Sequence, residues 1–173
     1  ARFRAGAGER PVMDLLLVRH AIAFDPDPRR WPDDRERPLT TEGREAFRRA
    51  ARGVPRIASR PELVLSSPYR RARQTARILE RCSAWPRAET EEGLATSPNW
   101  PLLRERLEGV TCAALVGHEP FLGELASLLL SGAPAGVALE FKKGTIARIA
   151  LADDGIGLLR GLWSPRVLRN LAS

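Results

Sequence analysis

Cysteine and histidine are scarce in this chain of 173 residues, with two of each, and of its 28 basic residues only Lys142 and Lys143 are lysines. Cys82 and Cys112 make no disulfide framework, and no CxxC or Cys/His cluster has the spacing of zinc ligands. No metal and no cofactor is therefore expected. Long apolar runs are missing as well. The longest, FLGELASLLL, is too short to span a bilayer and is interrupted by Glu124. No secretory h-region opens the chain. Its first 12 residues, polar and Gly/Arg-rich, precede Met13 and read as a flexible extension or a cloning artefact. The cytoplasm is the default compartment. Aromatic residues are few, and Trp31, Trp85, Trp100 and Trp163 are scattered, which suits packing and not a base-stacking platform.

What is present fits a soluble globular protein. Hydrophobic residues make up 43% and charged residues 28%, so residues 13–173 can bury a core as one domain without a staple. The net charge of +7 is unusual, and it comes almost wholly from arginine. Such a bias can reflect genome composition, so it speaks of function only where an arginine falls in a site. It fits an anionic substrate and leaves nucleic acid open as a partner.

Strand and helix patterns alternate after Met13. DLLLVR reads as a buried strand, and the loop HAIAFDPDPRRWPDDRERP, rich in Pro and Asp, as irregular. Thr40 or Thr41 can cap a helix through EGREAFRRAARGV. ELVLSS gives a second strand and YRRARQTARILERC a second helix. AETEEGL is a weaker strand, followed by a helix in NWPLLRERLEG. CAALVG and EPFLGELASLLLS form a clear strand and helix. GTIARIAL and IGLLRGLW are joined by ADDG, whose Asp-Gly is a hairpin signal, and PRVLRNLA is a closing helix. The expectation is a three-layer α/β/α fold around a mostly parallel sheet with an antiparallel edge.

In such sheets ligands bind at the carboxyl ends of the strands. Both histidines fall there, His20 after LLLVR and His118 after CAALVG. SSPYRRARQT brings Ser66, Ser67, Arg70, Arg71 and Arg73 to the same edge. Two imidazoles and several guanidinium groups without metal spacing suit a dianion such as phosphate. A histidine that attacks phosphorus must be neutral, and Arg19 beside His20 disfavours imidazolium. Covalent catalysis would then proceed through phospho-His20, with the arginines and His118 holding charge on the phosphoryl oxygens. Glu119-Pro120 reads as a helix start with Pro in the first turn, whose N–H groups could also face the anion.

The stretches LVRHAIA, RPLTTEGREA, LSSPYRRARQTA and LVGHEPFLGELA resemble, in order and spacing, the histidine phosphatase superfamily. Within it the chain looks like the small SixA-type phosphohistidine phosphatases, over residues 13–130 and more loosely beyond. The resemblance implies a phosphoglycerate mutase-like fold and a cofactor-independent hydrolase. It makes His20 the phosphorylated nucleophile, Arg19 its preceding arginine, Arg71 (before Ala72) the catalytic arginine and His118 the second histidine. Arg37 corresponds to a position near the phosphate pocket, though it could instead anchor the loop on Asp33 or Asp34. Arg70 is the weaker substrate-binding candidate. Ser66 and Ser67 read as turn and cap residues.

The phosphoester enzymes of the superfamily place a glutamate acid in the region that is TEEGLATSPNW here. Glu91 or Glu92 could serve, but neither matches the usual pattern. An imidazole leaves a phosphoramidate with less acid help than an alkoxide needs. With no large insertions to build a lid, this favours phosphohistidine on a protein over a small nucleotide or sugar phosphate. A non-catalytic polyanion-binding module is the least favoured reading, and neither membrane nor nucleic acid is an expected partner.

Overall fold

Leu15, Leu16, Leu17 and Val18 are wholly buried, and their burial dictates the centre of the fold. They belong to β1 (Met13–Arg19), the middle of a sheet that buries both faces, so alternate residues feed two separate cores. The computed structural model describes residues 13–95, 99–152 and 155–172. The N-terminal extension, residues 96–98 of the expected acid loop and Asp153-Asp154 of the expected hairpin turn lie outside the described residues.

The remaining strands are β2 (Leu63–Ser66), β3 (Glu89–Thr90), β4 (Cys112–Gly117), β5 (Ile146–Leu151) and β6 (Gly157–Trp163). They order as β3-β2-β4-β1-β5-β6. β1 to β4 run parallel, while β5 and β6 pair antiparallel at one edge. The helices are α1 (Thr41–Ala51), α2 (Arg70–Ser83), α3 (Trp100–Arg106), α4 (Phe121–Ser131) and α5 (Pro165–Leu171). Leu16 and Val18 face Phe47 of α1, Leu79 of α2 and Leu168 of α5. Leu15 and Leu17 face Leu103 of α3 and Phe121, Leu122 and Leu125 of α4. The three layers follow from this alternation. Each buried leucine contributes about 2 kcal/mol of transfer free energy, so β1 is a rigid mount.

Two sequence expectations are refined. AETEEGL yields only the two-residue β3, because a 3-10 turn over Glu92–Leu94 interrupts it. The long loop after β1 is more ordered than its composition suggests. A bridge between Ala23 and Leu39 closes it, and a 3-10 turn occupies Asp34–Glu36. Thr40 caps α1 by accepting from Gly43 N–H at 2.9 Å. Position 43 needs glycine because a Cβ there would lie 2.2 Å from the Ile22 carbonyl oxygen. α1 can therefore press against the residues that follow His20.

Candidate active site

Parallel pairing of β1 with β4 puts Arg19 opposite Gly117, so the next residue on each strand is a histidine. The two rings lie 5.0 Å apart, centroid to centroid. The His20 backbone N–H donates to the Gly117 carbonyl at 3.0 Å, while Gly144, at φ +81°, donates its N–H to the His20 carbonyl at 2.9 Å. His20 is 6% exposed. Its Nδ1 lies 2.7 Å from the Ala21 carbonyl oxygen. A carbonyl only accepts, so Nδ1 carries the proton and the lone pair is on Nε2. Ala21 N–H in turn donates to Thr75 Oγ1 at 3.0 Å, tying the strand end to α2.

His118 is held by its other nitrogen. Nε2 lies 2.8 Å from Ser67 Oγ, and that oxygen accepts from Tyr69 N–H at 3.3 Å. Ser67 is fully buried and, among the described residues, its hydroxyl has no acceptor other than Nε2, so it donates there, which puts the His118 proton on Nδ1. The Tyr69 ring flanks His118 at 4.8 Å and carries the Arg71 guanidinium over its face at 4.6 Å.

Three arginines surround the imidazoles. Arg19 donates from Nη1 to the Phe141 carbonyl. Arg71 is 6% exposed and reaches Asp34 twice, Nη1 to the backbone oxygen at 2.8 Å and Nη2 to Oδ2 at 3.0 Å. Arg37, 8% exposed, binds Asp34 Oδ1 through Nε at 2.6 Å and the Phe24 carbonyl through Nη1 at 2.5 Å. It anchors the loop on Asp34, and its charge also acts on His20. Arg70 is not brought in: it is exposed and directed to the Glu36 carbonyl at 3.5 Å. Among the described residues, four buried side-chain polar atoms lack a hydrogen-bond partner: Arg19 Nε, Arg71 Nε, His118 Nδ1 and Glu119 Oε1. Buried polar groups are seldom left unpaired, and these four all belong to this one place. Three of them are nitrogens suited to an anion.

The structure does not bring Glu91 and Glu92 to the histidines. Glu91 caps the 3-10 turn through Gly93 N–H at 3.1 Å and faces Arg106 Nε at 3.6 Å, while Glu92 is exposed and paired with Arg35 at 2.7 Å. A cleft of about 590 Å³ in front of His118 is lined instead by Asp34, Tyr69, Arg71, Glu119 and Glu124. The sequence assigns Ser67 only a turn or cap role and Glu119 only a helix start, leaves Tyr69 unassigned, and offers Asp34 only as an anchor for Arg37. The adjacency of Tyr69 and Ser67 to Arg71 and of Glu119 to His118 was the available signal. The helix after His118 begins at Phe121 with Pro120 at the cap, one step later than expected.

Burial lowers the His20 pKa to about 4, with the charges of Arg71, Arg19 and Arg37 adding to it and the Ala21 carbonyl opposing it. Burial likewise lowers His118 to about 3, followed by His20 and Arg71. Desolvation is thus the leading cause of neutrality, ahead of the neighbouring cations emphasised by the sequence argument. The Asp34 carboxyl is lowered chiefly by its bond from Arg37, and burial raises that of Glu119. The site therefore holds two neutral imidazoles among fixed cations.

The profile of the histidine phosphatase superfamily (branch 1) matches residues 15–96. A protein of Picosynechococcus sp., itself uncharacterised, is 35% identical over 139 residues, 78% of this chain and 82% of the relative. The chain belongs to the histidine phosphatase superfamily. The phosphohistidine phosphatase SixA of Escherichia coli strain K12 is 29% identical over 160 residues, 88% of this chain and 94% of that protein. A solved structure of the protein histidine phosphatase SixA complexed with tungstate aligns with a TM-score of 0.77 at 29% identity, covering 89% of this chain and 98% of that one. These likenesses support the SixA-type branch and make the chain a phosphatase with a phosphoglycerate mutase-like fold. Among the described residues no helix is long and apolar enough to cross a membrane.

Proposed function

We propose that this chain is a phosphohistidine phosphatase that hydrolyses its substrate through a phosphoryl intermediate on His20. The observation that carries the reading is the anchoring of His20 by Nδ1 on the Ala21 carbonyl, which directs a lone pair to Nε2 in a setting of guanidinium groups. Nε2 attacks phosphorus as the bond from phosphorus to the substrate's imidazole nitrogen breaks, and the substrate ring, protonated beforehand by solvent at its other nitrogen, leaves as neutral imidazole. Water then attacks phospho-His20, the P–Nε2 bond breaks, and inorganic phosphate departs. Arg19, Arg71 and Arg37 supply fixed positive charge for the equatorial oxygens, and His118 Nδ1–H adds a donor. Arg70 is left out of this set.

The substrate class rests on leaving-group chemistry. Glu91 and Glu92 are committed to Gly93, Arg106 and Arg35, and an imidazole needs less help than an alkoxide. A protein bearing phosphohistidine is the substrate we favour, with residues 13–173 acting as one domain in the cytoplasm, where free thiols such as Cys82 and Cys112 persist. One observation favours a small phosphomonoester instead. Glu119, with its protonation promoted by burial, lines the same cleft as His118 and Arg71, and a protonated carboxyl there could supply the proton an alkoxide requires.

Turnover of free phosphohistidine and of a phosphomonoester should be compared without metal, with Glu119→Gln and His20→Ala alongside. Preference for phosphohistidine, indifferent to Glu119→Gln and lost in His20→Ala, is the expected result. Preference for the ester, lost in Glu119→Gln, would replace the phosphohistidine reading with the ester one.

A further inference from the structure

A stripe of guanidinium groups leads away from the site along α2. Arg70, Arg73, Arg77 and Arg81 recur at spacings of three and four, which keeps them on one helix face over about 16 Å. All four are exposed, opposite the face that buries Arg71, Thr75 and Leu79. Arg87, just beyond α2, joins Arg73, Arg77 and Arg81 around a depression of about 320 Å³. That depression reaches Ser66, the neighbour of Ser67 beneath His118. On the other flank, Arg44 and Arg48 of α1 meet Arg77 and Arg81 around a second depression.

What sets this face apart on an arginine-rich surface is convergence, since Arg44, Arg48, Arg73, Arg77, Arg81 and Arg87 line two adjoining depressions. On the α2 face Arg48 has Glu45 and Arg73 has a 3.7 Å contact to Glu36. Among the described residues the side chains of Arg77, Arg81 and Arg87 have no ion pair or hydrogen bond. Glu80 is the one carboxylate lining either depression. Arg77 and Arg81, one turn apart, repel each other, and Glu80 is the single carboxylate set against four arginines of the first depression.

We propose that this stripe docks an acidic face of the protein that carries the phosphohistidine. The inference rests on the phosphohistidine reading and extends it to the partner's chemistry. Guanidinium groups take carboxylates in paired hydrogen bonds, and a positive track ending at the site raises the rate of productive encounter. Nucleic acid fits less well, since no aromatic residue lines either depression and single strands are held by stacking as well as charge.

The test uses the full chain and its triple variant Arg77→Ala/Arg81→Ala/Arg87→Ala. Binding of a fluorescent glutamate-rich peptide and of a 20-nucleotide single-stranded DNA is measured at low and moderate salt, and hydrolysis of free phosphohistidine is measured alongside. We expect the triple variant to bind the peptide at least tenfold more weakly while hydrolysing free phosphohistidine at the parent rate. Equal peptide binding by both proteins would overturn the docking face. Tighter binding of DNA than of peptide at equal salt would reassign it to nucleic acid. Failure of the parent to hydrolyse free phosphohistidine would strike the proposed function instead. The peptide measurement requires no turnover, so it decides the docking face in that case too.

Discussion

At the end of β1, His20 hangs from Nδ1 on the Ala21 carbonyl, whereas at the end of β4 His118 hangs from Nε2 on the Ser67 hydroxyl. The strands are neighbours in register and deliver the same side chain to the same edge. A carbonyl accepts only, so it leaves His20 with an exposed lone pair. A buried hydroxyl whose one acceptor among the described residues is Nε2 donates to it, so it leaves His118 with an outward N–H. In the proposed mechanism, identical residues thus become a nucleophile and a donor through the choice of anchoring partner. The backbone register supplies their proximity, and a single backbone or side-chain oxygen supplies the difference.

The strongest way to break the comparison is His20→Ala. If the two ends are not interchangeable, His118 cannot take over, and turnover should fall by on the order of 10⁴-fold or more while the fold persists. Circular dichroism and a stopped assay on free phosphohistidine check both halves of the statement. Activity near the parent level would mean that the lone pair on His20 is not the attacking group.

Arg71→Ala comes next. Arg71 is shared between the two ends, acting on both imidazoles and unpartnered at Nε. Its removal should cost about 3 to 4 kcal/mol of transition-state stabilisation, or 10² to 10³ in kcat/KM. The same change frees Asp34 from one of its two arginines. Competitive inhibition by tungstate should weaken in parallel if Arg71, unpartnered at Nε, holds the anion.

Much of this architecture is legible in the chain, and what is not has a physical cause. The runs at Leu15–Val18 and Cys112–Gly117 announce buried strands, and a histidine after each announces the sheet edge where the two rings meet. The family resemblance sets Arg71 apart from Arg70 through the neighbouring Ala72, and the fold separates the two by burial, Arg71 being buried and Arg70 exposed. Glu91 and Glu92 misled because charge and order along the chain do not reveal which arginine a carboxylate will meet in space. Ser67 and Glu119 escaped for a related reason. Their roles depend on direction, on which ring nitrogen a hydroxyl meets and where a carboxyl is desolvated, and periodicity carries no information about direction.

Stability against pH sharpens the comparison further. Both imidazoles have folded pKa values below the ordinary 6.5, at about 4 for His20 and about 3 for His118. The unfolded chain therefore takes up protons first. Stability is full above pH 7 and declines as pH falls below 6.5 toward 4, by up to about 3 kcal/mol for each imidazole. Glu119, raised by burial, acts in the opposite sense. Urea unfolding at pH 7.5, 6 and 5 of the parent, His20→Asn and His118→Asn isolates the histidine contribution, and each variant should flatten the slope. Parallel slopes in all three proteins would mean that the imidazoles are not desolvated.

Ser67→Ala has the smallest expected effect and addresses the difference between the two ends most directly. Ser67 is fully buried, and its hydroxyl is what places the His118 proton on Nδ1. Without it the ring keeps its seat beside Tyr69 but loses the partner that selects the tautomer, so its proton can move to Nε2 and face away from the phosphoryl group. A fall in kcat of about tenfold follows, the scale of one lost hydrogen bond of about 1.4 kcal/mol. A merely structural role for Ser67 would lower the melting temperature and leave kcat alone. The ¹⁵N shifts of the two imidazoles separate the cases. In the parent, His20 should report a protonated Nδ1 and so should His118; in Ser67→Ala only His118 should change. If His118 already carries its proton on Nε2 in the parent, the hydroxyl accepts from it, and the contrast between the two strand ends has to be sought in the arginines alone.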